Sequence, residues 1–285
     1  MRLRPLHPAF GLEVTDIRLD ATTPDAVIAE LRRNLVQSEA LLLRGQALSA
    51  DEQRCLVERL SVGTISQTIP SLAVPGVETR PIAPDESDAF WQADRLWHEL
   101  PSRLSVLHAQ AISESEPAEI LLLSQTQAYQ ALNPWLRWHI EYLEVEHRAR
   151  RGAQSETHSS ATRHAHDALV QDTEAQIVHP LVRIDPATEK RSLFLPEATS
   201  HQLLDMPSQA SAELLARLQQ MLVNPNAIHR HIWQKGDLLI WDSARLLHKL
   251  LGLSADCSLG FARSRPLGEK PIGPRSTAMP WVVAG

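Results

Sequence analysis

Short apolar runs and helical repeats follow one another along this chain. Residues 10–20 (FGLEVTDIRLD) alternate, with Leu12, Val14 and Ile17 toward one side, and predict an early strand. Thr23-Pro24 supplies a capping residue and a first-turn proline, and Val27, Ile28, Leu31 and Leu35 then recur at helical spacing. Residues 40–46 (ALLLRGQ) are apolar until Arg44, the pattern of a fully buried strand, and Gly45 ends them. Ser49-Ala50-Asp51-Glu52 has the form of a capping box, in which serine and glutamate satisfy free backbone donors reciprocally, and Leu56, Val57 and Leu60 continue that helix.

Further along, residues 103–112 predict a core strand, 124–132 a helix, and 135–147 a second helix after Asn133-Pro134. Residues 179–195 read as strand, turn at 186–189, and strand. Leu214, Leu215, Leu218, Met221 and Leu222 give an amphipathic helix behind Pro207-Ser208. The stretch 231–271 predicts two apolar strands joined by a tight turn at Lys235-Gly236-Asp237, a third strand ending in His248, a loop, and a fourth strand carrying Arg263. Residues 62–95 and 148–176 are polar and without period. In the second, His164, His166 and Asp167 have metal-ligating side chains, but no strand or helix spacing gathers all three, so a solvated loop and helix is expected. No internal repeat is present.

Composition narrows the function classes. With 285 residues, 43% of them hydrophobic and 22% charged, the chain is long enough for a sizeable core. One domain over residues 1–285 is expected, α/β with a mostly β core. A net charge of −6 without a basic block argues against nucleic acid or an anionic membrane as partner. Cys55 and Cys257 fit neither a disulfide framework nor a metal spacing, which suits a reducing compartment. No apolar run is long enough to span a membrane and the first residues lack the core of a signal peptide, so a soluble cytoplasmic protein is the expectation. Whether it forms a homo-oligomer stays open.

The pattern Gly236-Asp237-x-x-Ile240-Trp241-Asp242, followed by His248 and by Arg263 fifteen residues later, resembles the end of the catalytic barrel in the taurine dioxygenase family. Leu96-Trp97-His98 resembles the place of that family's first metal-binding histidine, and residues 179–195 resemble its HPVVR…TG…LF hairpin. The resemblance covers nearly the whole chain. It implies iron(II)- and 2-oxoglutarate-dependent oxygenase ancestry and a double-stranded β-helix, or jelly-roll, barrel flanked by helices. It also implies that the polar stretch 62–95 lies at the barrel mouth beside the substrate; an ordinary surface loop is the alternative.

Such chemistry needs iron held on one face by two imidazoles and a carboxylate. The first histidine and the carboxylate come from one strand at i and i+2, because only that spacing turns both side chains inward. His98 and His248 fall at the two histidine positions, but the carboxylate position is Leu100. Glu99 is adjacent and would reach inward only through a local bulge; His108 is another candidate third ligand. Leucine also fills the volume that a halide would need in the halogenating branch of the superfamily.

The resemblance places the two anchors of 2-oxoglutarate at Leu259, eleven residues after His248, and within Pro117-Ala118-Glu119-Ile120. Both donors have become aliphatic, so 2-oxoglutarate is expected to bind weakly or not at all in its usual pose. Arg263, with Trp97, is implied to hold the anionic part of a small substrate, or Arg263 to hold 2-oxoglutarate itself. Glu99, Glu119 and Glu197 are its candidate internal partners. Three readings follow. The leading one is an atypical non-haem-metal-dependent oxidoreductase acting on a small acidic molecule. The others are a metalloenzyme that does not use 2-oxoglutarate, and a non-catalytic pseudoenzyme that binds a small molecule or a partner. No catalytic residue is assigned.

Overall fold

Alternation of side chains along the strands divides the protein into layers. The computed structural model describes residues 1–61, 79–81, 90–96, 99–112, 118–148, 176–197, 199–252, 260–266 and 268–274. In chain order the elements begin with β1 (Arg2–Pro5), β2 (Leu12–Thr15), α1 (Asp25–Ser38), β3 (Ala40–Leu43), α2 (Ala50–Ser61), β4 (Thr79–Pro81), β5 (Leu104–Ala109) and β6 (Glu119–Ser124). There follow α3 (Gln125–Ala131), α4 (Pro134–Ile140), β7 (Glu144–Arg148), β8 (Gln176–Pro180), β9 (Val182–Ile184), β10 (Arg191–Leu193) and β11 (Ser200–Leu203). The chain continues with α5 (Ser208–Leu222), β12 (Ile228–Ile232), β13 (Leu238–Asp242), β14 (Leu246–Leu251) and β15 (Phe261–Ser264).

A seven-stranded sheet runs β1-β2-β3-β13-β5-β15-β4, and a three-stranded sheet runs β12-β6-β14. Ala40 and Leu42 of β3, Leu239 and Trp241 of β13, and Leu107 of β5 point into the space between them. There they meet Ile120 and Leu122 of β6 and Leu246 and Leu250 of β14. The alternate residues, Leu41, Leu43, Val106, Leu238 and Ile240, pack on the outer face against Ile28, Leu31 and Leu35 of α1 and Leu56, Val57 and Leu60 of α2. Leu123 and Leu247, on the far side of the smaller sheet, join a third core with α3, α4 and α5. The protein is therefore mixed α and β with sheet predominating. Among the described residues the strand pairings build four sheets, the others being β11-β7-β8 and β10-β9, rather than one closed ring.

Local signals account for several boundaries. The capping box forms as expected: the Ser49 amide donates to Glu52 Oε2 at 2.9 Å and the Glu52 amide to Ser49 Oγ at 3.3 Å. Ser124 caps α3 by accepting from the Gln127 amide at 3.2 Å. Thr23 does not cap α1, because its hydroxyl accepts the Asp20 amide and Pro24 itself stands at the cap position.

Three expectations are corrected by tertiary pairing. The helix predicted over 135–147 stops at Ile140, because Glu144–Arg148 is claimed as β7 by β8 on one side and β11 on the other. The turn at Lys235-Gly236-Asp237 does not close a hairpin: β12 pairs with β6, whereas β13 pairs with β3 and β5, so the turn carries the chain between sheets. His248 sits in the middle of β14, not at its end.

Candidate active site

The space between the two sheets is apolar except at one end. On β14, His248 lies between Leu246 and Leu250, which face this space, so its imidazole faces it too. On β15, Arg263 follows Phe261 by two residues and is brought to the same face. Trp241 closes one side, its ring 5.3 Å from that of His248. Arg263 Nη2 lies 2.9 Å from His248 Nε2. A guanidinium has no acceptor, so Nε2 accepts this bond through its lone pair and a neutral ring carries its proton on Nδ1.

The carboxylate at this site is Asp94, which the sequence reading did not single out. Trp91 and Ala93 pack into the third core beside Leu247, on the far side of the smaller sheet, which turns Gln92 and Asp94 the other way. Gln92 and His248 exchange both backbone hydrogen bonds, at 3.0 and 2.9 Å, so they stand directly opposite with their side chains on one face. Asp94 Oδ1 accepts from Arg263 Nη2 at 2.5 Å and from Arg265 Nη1 at 3.3 Å. Its Oδ2 accepts from the Ser105 hydroxyl and, at 3.4 Å, from Ser243. Burial disfavours the Asp94 anion, but Arg263 first, with Arg265 and the Ser105 hydroxyl, outweighs it and holds the carboxyl well below the usual range.

The other candidates disperse. Glu99 is a surface residue, 72% exposed and 3.3 Å from Lys270, so no bulge carries it to His248. His108 is buried on the opposite face of β5 from Ser105, with its Nε2 3.3 Å from the Gln46 carbonyl, so it is no third ligand in this arrangement. Burial lowers its pKa, opposed by that carbonyl contact and by Asp237. Glu119 pairs with Arg230 at the surface, Glu197 accepts from the Trp91 amide, and neither is the partner of Arg263. Ile120 is buried in the apolar layer between the sheets. Trp97, His98, Leu259 and the residues His164, His166 and Asp167 lie outside the described residues. Among the described residues no three His, Cys, Asp or Glu side chains are placed to hold one metal ion.

The family model for the taurine catabolism dioxygenase TauD, TfdA family matches residues 2–253. The chain belongs to this family. An alpha-ketoglutarate-dependent 2,4-dichlorophenoxyacetate dioxygenase of Cupriavidus pinatubonensis is 26% identical over 268 residues, 86% of this chain and 90% of that protein. An (S)-phenoxypropionate/alpha-ketoglutarate-dioxygenase of Delftia acidovorans is 26% identical over 267 residues, 87% of this chain and 89% of its own. Among solved structures, AAD-2 in complex with Mn(II) and N-oxalylglycine superposes with a TM-score of 0.76 at 17% identity, covering 95% of this chain and 98% of that one. A taurine dioxygenase from Burkholderia xenovorans also reaches 0.76, at 19% identity, covering 96% and 91%. These structural likenesses establish the shared fold.

Proposed function

We propose that this protein binds a small organic acid on the family's fold and does not run iron- and 2-oxoglutarate-dependent oxygenation at the inherited position. The observation that carries this reading is the placement of Arg263 Nη2 between His248 Nε2 and Asp94 Oδ1, at 2.9 and 2.5 Å. The family's metal site needs a histidine and a carboxylate at i and i+2 facing a distant histidine. Here the pair set against His248 is Gln92 and Asp94.

Iron does not fit this set of donors. A cation would need the Nε2 lone pair that already accepts from Arg263 and a carboxylate oxygen that already accepts from two guanidinium groups. It would also share a site with a fixed positive charge, and like charges a few ångströms apart repel strongly where water is excluded. An organic acid is the ligand class carried over from the phenoxyacetate and phenoxypropionate enzymes named above, and Arg263 and Arg265 bring two guanidinium groups to the one Asp94 carboxylate at the polar end of an otherwise apolar space.

Anaerobic titration of the purified protein with iron(II) and 2-oxoglutarate, followed by metal analysis and visible absorbance, tests this. The expected result is substoichiometric iron and no charge-transfer band in the native protein. A Gln92→His/Arg263→Ala double variant, which returns one imidazole and removes the guanidinium, should gain iron. Stoichiometric iron in the native protein, with succinate formed from 2-oxoglutarate, would overturn the proposal and favour the atypical oxidoreductase.

A further inference from the structure

A second polar centre lies beyond the end of β13, away from the Asp94 cluster. Arg183 of β9 is only 5% exposed, and its guanidinium lies 3.0 Å above the centre of the Phe194 ring. Among the described residues its Nε and Nη2 have no hydrogen-bond partner. The carboxylates nearby serve other groups. Asp185 Oδ2 is 2.7 Å from Arg103 and 3.3 Å from Arg245, Glu269 is 2.5 Å from Arg103, and Asp242 is 2.9 Å from Arg245. Among the described residues Arg245 Nη1 likewise has no hydrogen-bond acceptor, Glu39 being 3.9 Å away. Burial pushes the Arg183 pKa well down, partly offset by Asp242 and reinforced by Arg103.

Both arginines line one small cavity of about 40 Å³. Ser192 stands directly opposite Arg183 in the β9-β10 ladder and lines the same cavity, so its hydroxyl shares the face from which the guanidinium projects. Lys270 lines it as well, and the carboxylates on its wall are Asp185 and Glu269, both engaged as above. At roughly 10–15 Å³ per water-sized centre, the space admits about three water molecules or one oxyanion group. Leaving buried guanidinium donors unmatched is costly, and the planar fork of arginine matches two oxygens of a carboxylate or phosphate.

We propose that this cavity is a binding site for a small oxyanion, a carboxylate or phosphate group, held by Arg183 with Arg245 Nη1 and the Ser192 hydroxyl. The site is independent of the Asp94 cluster and of the function proposed for it. Calorimetric titration of the full-length protein with acetate, oxalate and inorganic phosphate at constant ionic strength, with chloride as control, tests it and separates carboxylate from phosphate. One of the three probes should bind one to one, Arg183→Gln should weaken it at least tenfold, and Arg263→Ala should leave it unchanged. Should Arg183→Gln fail to fold, Ala244→Leu fills the cavity from its wall without touching the guanidinium and should abolish binding. Absence of binding above the chloride control would mean that water alone satisfies Arg183 and overturns the proposal. Binding that survives both variants, or that is lost in an Arg263→Ala protein shown by circular dichroism to be folded, overturns it as well.

Discussion

Removing either member of the Asp94–Arg263 pair should be among the more destabilising changes this protein can suffer. Both side chains are 2% exposed and their nearest atoms are 2.5 Å apart. At an effective dielectric of about 20 a pair of unit charges at roughly 4 Å interacts by about 4 kcal/mol. Breaking a buried pair by deleting one partner typically costs about 3–5 kcal/mol, because the survivor stays desolvated. Arg263→Met leaves Asp94 with Arg265 and the two serine hydroxyls, which recover part of the loss, so a cost of about 3 kcal/mol is expected. Asp94→Asn should cost a similar amount, since it sets two guanidinium groups beside a neutral amide. The double variant should be less destabilised than the sum, by about 1–3 kcal/mol. Urea unfolding followed by circular dichroism at neutral pH measures all three. The pH dependence is a further check. Asp94 has a depressed folded pKa, so its stabilisation is full above its unfolded value near ~3.9 and is lost as pH falls toward the folded one. The gap between native protein and Arg263→Met should therefore persist down to about pH 4 and narrow below it. Single variants that each cost under about 1 kcal/mol and add without coupling would refute the idea that this pair locks the site.

Other changes have smaller, local expectations. Ser49→Ala removes one half of the capping box on α2 and should cost about 1 kcal/mol in denaturant unfolding. Gly236 has φ of +82° and an added Cβ would lie 2.9 Å from the Gln46 carbonyl oxygen, so Gly236→Ala should cost about 1–3 kcal/mol by the same measurement. His229 is pushed down to about 4 by burial, then by His231, His7 and Arg44, and burial holds His147 well below its usual value. Both stay neutral in the folded protein while the unfolded chain takes up protons below about pH 6.5, so stability should decline as pH falls from about 6.5 to 4. A stability profile flat across that range, or one unchanged by His229→Gln, would contradict this assignment.

Much of the fold could be read from residue order because its signals are local. Leu41 and Leu43 against Ala40 and Leu42, the capping box at Ser49, and the repeat of Ile28, Leu31 and Leu35 each announce an element and the face it buries. The inward direction of His248 and Arg263 was likewise legible, since strand side chains alternate whatever the partner strand is. Strand partners were not legible. Glu144–Arg148 reads equally well as the end of a helix, and the Gly236 turn reads as a hairpin, until sheet pairing assigns each strand its neighbours. The candidate site turned on the same ambiguity. Trp97-His98-Glu99-Leu100 keeps the tryptophan and histidine of the family's pattern and loses the aspartate. Trp91-Gln92-Ala93-Asp94 keeps the tryptophan and the i+2 aspartate and loses the histidine. Composition does not choose between these two registers. Packing of Trp91 and Ala93 into the third core, with the backbone bridge from Gln92 to His248, turns Asp94 inward, where burial makes the guanidinium of Arg263 its necessary partner.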